Sequence, residues 1–303
     1  MAPPDPRSQA RTHANLDERP KSLSDSTWCL VGGGNMASAI VHGSIDAGVM
    51  AADRFVIVET DAEKRHDWTR KGVANFGGVR EGLAHLASIE RHPGDGHIVL
   101  AVKPQMYGAV APGLCEELKR FPRRVCSIMA GVTTARIEES LGAGAHVVRV
   151  MPNTPAQIRM GTAAFARGVS MPLGEETQVV ALFATLGNVL ALREELFDAF
   201  TAIAGSGPAY LFALAEAMVA GAIKQGIEPT DADAIVRSVL EGSASLLARH
   251  AHLAPGSHRA AVTSRGGTTA AALQIWEERG VMQSIAEAID AAAARGRELS
   301  RQL

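Results

Sequence analysis

An α/β domain followed by an all-helical domain is what the sequence predicts, and three observations predict it. The apolar run Trp28 to Val31 stops at Gly32-Gly33-Gly34, and a helix-compatible run, Ala37 to Ala47, follows at once. Short apolar runs of strand length then alternate with helical stretches as far as about residue 192, the pattern of a parallel sheet with helices on both faces. Beyond Arg193 the strand patterns stop and long alanine-rich helical stretches take over.

Gly32, Gly34 and Ala37 fill the G-x-G-x-x-G/A spacing of a dinucleotide-binding turn. The first glycine permits the sharp turn, and the second lets a pyrophosphate approach the backbone. The small third residue lets helix and strand pack closely, and the free N–H groups of the new helix face the phosphates. A second strand, Phe55 to Val58, ends at Glu59, and a shorter one is expected near Val73 to Phe76. After the turn His92 to Gly96, Ile98 to Val102 reads as a buried strand stopped by Lys103-Pro104. Val125 to Met129 ends at Ala130-Gly131, and Val147 to Met151 is stopped by Pro152. Ligands of such sheets bind beyond the carboxyl ends of the strands. The ends Gly32-Gly34, Glu59, Lys103-Pro104, Ala130-Gly131 and Pro152-Asn153-Thr154 are therefore expected to line one crevice. Residues 27–192 form a Rossmann-type dinucleotide-binding domain on this reading.

Residues 193–303 are expected to form helices over Pro208 to Gln225, Asp231 to Ala251, Thr268 to Gly280 and Met282 to Arg301. The first carries only Glu216 and Lys224 as charges. A helix apolar nearly all round belongs in a core or a subunit interface, and a homodimer through these helices is the expectation; the alternative is a compact monomeric bundle. Residues 1–26 are rich in Pro, Arg, Asp and Ser and show no apolar period, so they read as a disordered tail. The tail lacks the apolar core of a secretory signal, and its acids argue against a mitochondrial presequence.

The net charge of −2 gives no electrostatic reason to expect nucleic acid or an anionic membrane as partner. No apolar run approaches the roughly 20 residues of a bilayer span. Cys29, Cys115 and Cys126 are odd in number and far apart, which points to a reduced, cytoplasmic protein. His250 and His252, two apart, would diverge on a helix, so no metal site is expected.

Six segments together resemble the pyrroline-5-carboxylate reductase family, from about Thr27 to Leu299: Val31-Gly32-Gly33-Gly34-Asn35-Met36, Ala101-Val102-Lys103-Pro104, Ala130-Gly131-Val132, Met151-Pro152-Asn153-Thr154-Pro155, Gly205-Ser206-Gly207-Pro208-Ala209-Tyr210 and Ser264-Arg265-Gly266-Gly267-Thr268-Thr269. The resemblance implies a Rossmann domain followed by a helical dimerisation domain, often assembled into rings of dimers. It implies hydride transfer from NADH or NADPH to the ring imine of 1-pyrroline-5-carboxylate, giving L-proline. The cofactor residues it implies are Val31, Gly32, Gly33, Gly34, Asn35, Met36, Ala101, Val102, Lys103, Pro104, Ala130 and Gly131. The substrate residues are Glu194, Gly266, Gly267, Thr268 and Thr269, with backbone N–H groups of the turn on the carboxylate and the Thr269 hydroxyl on the ring nitrogen.

The residues fit imine chemistry. Reducing a ketone creates an alkoxide that needs a general acid, yet the helical domain has a single lysine, Lys224, at an expected helix C-terminus where the dipole favours a cation anyway. A protonated imine accepts hydride with no acid at that step; what remains is to exclude water, bind the carboxylate and align the ring. Two glycines ahead of a helix start expose the backbone donors that a carboxylate needs, whereas helix capping by Thr268 or Thr269 alone would not call for them. Glu59, at the end of the second strand, is placed to accept hydrogen bonds from the adenosine ribose and to repel a 2′-phosphate, so NADH is the expected preference. The alternative is that Glu59 points to solvent and Arg65 or Thr60 admits NADPH. Arg265, Ala260 and His258 depart from the usual pattern around the substrate turn, which leaves another cyclic imine, or a keto acid, open as substrate; a non-catalytic nucleotide-binding paralogue is the third reading.

Overall fold

The computed structural model describes residues 23–302. The tail expected over residues 1–26 lies outside the described residues as far as residue 22. Its last four residues are held by local bonds instead: Leu23–Asp25 is a 3₁₀ turn, Leu23 is buried, and the Ser26 hydroxyl donates to Leu23 O at 2.7 Å and accepts from Trp28 Nε1 at 2.7 Å.

Among the described residues eight strands form one sheet in the order β3-β2-β1-β4-β5-β6-β7-β8. They are β1 (Trp28–Val31), β2 (Phe55–Val58), β3 (Ala74–Phe76), β4 (His97–Leu100), β5 (Arg123–Ser127), β6 (Ala145–Met151), β7 (Gly161–Arg167) and β8 (Gly187–Ala191). Neighbours run parallel except β6 and β7, which are antiparallel. The expected all-parallel sheet therefore needs correction at this edge. The chain runs outward from β1 to β3 and returns to β4 on the other side of β1, which places the switch in strand order between β1 and β4. In register, Val31 faces Val58 and Leu100, and Leu100 faces Ser127. The carboxyl ends of the four central strands thus finish level.

Each central strand is buried on both sides, and alternation sends its side chains to two cores. Six helices cover the sheet: α1 (Asn35–Asp46), α2 (Ala62–Arg70), α3 (Val79–Ile89), α4 (Tyr107–Arg120), α5 (Thr134–Leu141) and α6 (Thr177–Ala184). Trp28, Leu30 and Phe55 pack with Ile40 of α1, Trp68 of α2 and Phe183 of α6. On the other face Cys29, Val31 and Ile98 pack with Leu83 of α3, Leu114 of α4 and Ile137 of α5.

Two compact units result. One reaches as far as Gly205 and takes in the chain from Ala293 on; the other is Ser206–Ala292. The first unit runs on past residue 193 because the short helix α7 (Phe197–Phe200) packs on the sheet: Phe197 is 1% exposed and lies against Ala164 and Ala166 of β7. The second unit holds α8 (Gly207–Lys224), α9 (Pro229–Arg249), α10 (Pro255–Ala261), α11 (Thr268–Glu278) and the first part of α12 (Val281–Gln302). Seven-residue α10, begun by Pro255, is an addition to the expected helices.

Helices α8 and α9 pack on each other, yet Leu211, Phe212, Ile235, Val239, Ile275 and Trp276 are exposed in the single chain. Among the described residues one helical run, Glu194–Lys224, is long and apolar enough to cross a membrane by length and composition only, and most of it is unburied in the single chain.

Candidate active site

The glycine loop lies at the end of β1. Gly32 has φ +109°, a Cβ there would sit 2.6 Å from the Ala101 backbone, and Gly32 N donates to Val58 O at 2.8 Å. Only glycine fits a left-handed conformation in so close an approach. Gly34 is the N-cap of α1, no side chain caps that helix, and a Cβ on Gly34 would meet nothing within 4 Å. An uncapped helix N-terminus facing open space, reached over a residue without a side chain, fits a pyrophosphate group. Asn35 is exposed and Met36 half-buried at the same turn.

Glu59 is half-buried where β2 ends. Its Oε2 accepts from Gly33 N at 3.0 Å and its Oε1 from Asp61 N at 3.0 Å. The carboxylate therefore turns back onto the glycine loop. Arg65 stands beside it: Nη1 donates to Glu59 O at 2.9 Å and Thr60 O at 2.7 Å. The position thus holds both an acceptor for ribose hydroxyls and a guanidinium with further N–H groups to offer.

Ala101 N donates to Val31 O at 2.8 Å, and Ile128 N to Leu100 O at 3.1 Å, so the parallel hydrogen bonding continues past the assigned strand ends. Val102 is half-buried, Lys103 is exposed, and Lys103 O accepts from Met106 N at 2.8 Å as Pro104 starts a 3₁₀ turn. Gly131 takes φ +76° after Ala130. A cavity of about 790 Å³ opens where these loops finish, lined by Pro104, Gln105, Tyr107, Val132 and Thr133 among others. The structure thus brings the glycine loop, Glu59, Ala101–Pro104 and Ala130-Gly131 to the carboxyl ends of adjacent strands. Asn153, after β6, is used structurally: Nδ2 donates to Ala204 O at 3.0 Å and Oδ1 accepts from Thr162 N at 2.8 Å.

Glu194 has an intramolecular task that its sequence context does not reveal. Its Oε1 accepts from Thr134 N at 2.8 Å and pairs with Arg149 Nη1 at 3.1 Å, while Oε2 accepts from Thr134 Oγ1 at 2.6 Å. The Arg149 side chain is 4% exposed and its guanidinium lies 4.7 Å from the centre of the Phe197 ring. An acid at the first turn of α5 also meets the positive end of the helix. Glu194 so ties α5 to β6 just after the Ala130-Gly131 loop.

In the second unit, Gly266 takes φ +73° and Gly267 is the N-cap of α11. Gly267 N donates to Ser264 O at 3.0 Å, and no side chain caps the helix. Thr268 and Thr269 thus open α11 from within its first turn and do not act as its cap. Thr268 is exposed and Thr269 half-buried. The turn presents uncapped N–H groups with a hydroxyl alongside, a constellation suited to a carboxylate. Lys224 is exposed in the last turn of α8. Because α9 stops at Arg249, His250 and His252 do not diverge: their rings lie 6.0 Å apart, and His250 stacks on His258 at 5.9 Å. Among the described residues no group of three His, Cys, Asp or Glu side chains could hold a metal ion.

A family profile described as pyrroline-5-carboxylate reductase dimerisation matches residues 194–299, and one described as NADP oxidoreductase, coenzyme F420-dependent, matches residues 27–131. The pyrroline-5-carboxylate reductase of Corynebacterium melassecola is 32% identical over 279 residues, covering 91% of this chain and 99% of that protein. That of Haemophilus influenzae is 32% identical over 270 residues, with 89% and 96% covered. Among solved structures, a pyrroline-5-carboxylate reductase from Coxiella burnetii superposes with a TM-score of 0.79 at 30% identity over 91% of this chain and 98% of that one. The Plasmodium falciparum pyrroline carboxylate reductase with NADP bound, at 22% identity and a TM-score of 0.80 over 92% and 100%, shares the fold. An uncapped glycine loop on a parallel sheet, a glycine-threonine turn on a helical unit and these full-length similarities agree: the chain belongs to the pyrroline-5-carboxylate reductase family.

Proposed function

We infer that the chain reduces the ring imine of 1-pyrroline-5-carboxylate to L-proline, the last step of proline biosynthesis. The observation that carries this reading is the Gly266–Thr269 turn, with its uncapped N–H groups at the start of α11, in a chain of this family. A nicotinamide cofactor, when bound, supplies the hydride. The glycine loop and the first turn of α1 hold its pyrophosphate, while Ala101–Pro104 and Ala130-Gly131 border the rest of the dinucleotide. Backbone N–H groups after Gly266 and Gly267 hold the substrate carboxylate, and the Thr269 hydroxyl meets the ring nitrogen. Glu194 acts through Thr134 and Arg149 by holding the Ala130-Gly131 loop in place. No side chain has to deliver a proton during hydride transfer, because an imine already protonated yields a neutral amine.

NADH is the preferred donor on this reading, since a carboxylate at Glu59 accepts from the ribose and disfavours a 2′-phosphate. Arg65, at the same strand end, supports continued use of NADPH. Two copies associate through α8–α12, with further assembly into a ring of dimers; the exposed Leu211, Phe212, Ile275 and Trp276 support this. The same association gives the apolar Glu194–Lys224 run a protein partner in place of a membrane. Cys29 and Cys126 are buried free thiols, in keeping with a reducing cytoplasm. Steady-state oxidation of NADH and NADPH with 1-pyrroline-5-carboxylate tests the activity. Proline formation in step with dinucleotide consumption is expected, and well-folded protein with no turnover on either cofactor would refute it.

A further inference from the structure

On the reading that the glycine loop holds a dinucleotide, we propose that Trp68 is a positioning residue for it: the indole N–H and the Glu59 carboxylate grip the two ends of Gly33 and fix the loop before the dinucleotide arrives. Trp68 Nε1 donates to Gly33 O at 3.2 Å, while Gly33 N donates to Glu59 Oε2 at 3.0 Å. Both polar groups of the middle glycine are thus satisfied by side chains from the β2–α2 segment. Trp68 is 3% exposed and belongs to the core. Its ring stacks on His42 of α1 at 5.6 Å, and Lys71 Nζ lies 5.1 Å from its centre. His42 in turn shares a 3.0 Å hydrogen bond between Nδ1 and the Ser38 hydroxyl. Burial, and then the charge of Lys71, hold the His42 pKa below its usual value, so a neutral ring stacks on the indole.

Three consecutive glycines have more backbone freedom to lose than any other tripeptide. Left unfixed, that freedom would be lost on binding, at a cost in affinity. Gripping Gly33 from both sides removes much of it in advance. The grip also decides which donors the pyrophosphate meets: Gly33 N–H is already engaged, so the N–H groups at the start of α1 are the ones on offer. Loop and clamp are fitted to each other, because a Cβ on Gly33 would lie 2.7 Å from Trp68 Nε1 and 3.0 Å from Glu59 Cβ. A core tryptophan that merely filled space would need neither the bond nor the fit.

The test uses the full chain as wild type, Trp68→Phe, Gly33→Ala and the double variant. Titration with NADH and with NADPH gives dissociation constants, steady-state assays give KM and kcat, and thermal melts report folding. Trp68→Phe is expected to weaken both dinucleotides about fivefold, the worth of one hydrogen bond, with kcat and the imine KM unchanged. The loss from Gly33→Ala is expected to be smaller in the Trp68→Phe background than in the wild type. Unaltered dinucleotide affinity in Trp68→Phe, or additive losses in the double variant, would overturn the clamp. If Trp68→Phe does not fold, Gly33→Ala decides alone: a wild-type dinucleotide KM refutes the proposal, and a raised one with an unchanged imine KM supports it. Wild-type protein that binds neither dinucleotide would instead overturn the cofactor reading beneath the proposal.

Discussion

Glu59 carries the proposed cofactor preference. Its two oxygens already accept from Gly33 N and Asp61 N, yet a carboxylate has about four lone-pair sites, so ribose hydroxyls can be accepted as well. Replacing it with serine removes the charge that opposes a 2′-phosphate and leaves Arg65 in place. Glu59→Ser is predicted to shift the ratio of kcat/KM values towards NADPH by about tenfold, or ~1.4 kcal/mol; an unchanged ratio would sink the assignment. Glu59 was legible in the sequence because the end of the second strand is a fixed place in this fold. Trp68 was not, since a lone tryptophan on a helix reads as core, and its bond to Gly33 exists only once α2 has folded over the loop. The partners of Glu194 were equally hidden. Thr134 and Arg149 lie 60 and 45 residues away in the chain, and only the sheet brings them together.

Strands with branched apolar side chains were legible, and those built from small residues were not. Trp28–Val31 and Phe55–Val58 stand where their composition puts them. Gly161–Arg167 carries three alanines and a glycine, so neither alternation nor β-branching marks it; its pairing with β6 and β8 makes it a strand. The amino-terminal end of β4 holds a further consequence. His97 is fully buried, stacks on Trp28 at 4.1 Å and bonds through Nε2 to Gln178 Oε1, while Nδ1 has no hydrogen-bond partner. Burial, then the charge of Arg124, lowers its pKa from 6.5 to about 3. Below pH 6.5 the unfolded chain protonates this ring and the folded one does not, so its contribution to stability is complete above 6.5 and declines as pH falls towards 3. His97→Phe keeps the stack and removes the proton linkage. Thermal melts between about pH 7 and pH 4 should show a shallower fall in Tm for the variant than for the wild type; parallel curves would contradict the account.

For the molecule as a whole, the sequence made clear that the chain has a nucleotide-binding part and a helical part, but not how the chain after residue 193 is bound to the first of them. Residues 194–205 look like the start of the helical run, yet Phe197 packs on β7 and Glu194 pairs with Arg149 of β6. The exposed apolar side chains of α8, α9 and α11 are too many for a stable free surface, so association should be coupled to stability. Dilution is predicted to lower Tm, with sedimentation at micromolar concentration giving a dimer or larger; a monomer whose Tm ignores concentration would contradict the shared interface. Hydride transfer from a dinucleotide at the glycine loop to an imine carbon can be followed by isotope tracing. With cofactor carrying deuterium at both C4 positions, in ordinary water, mass spectrometry of the proline should find one deuterium, on the former imine carbon. Proline without deuterium would contradict direct transfer, and no proline at all would contradict the reaction.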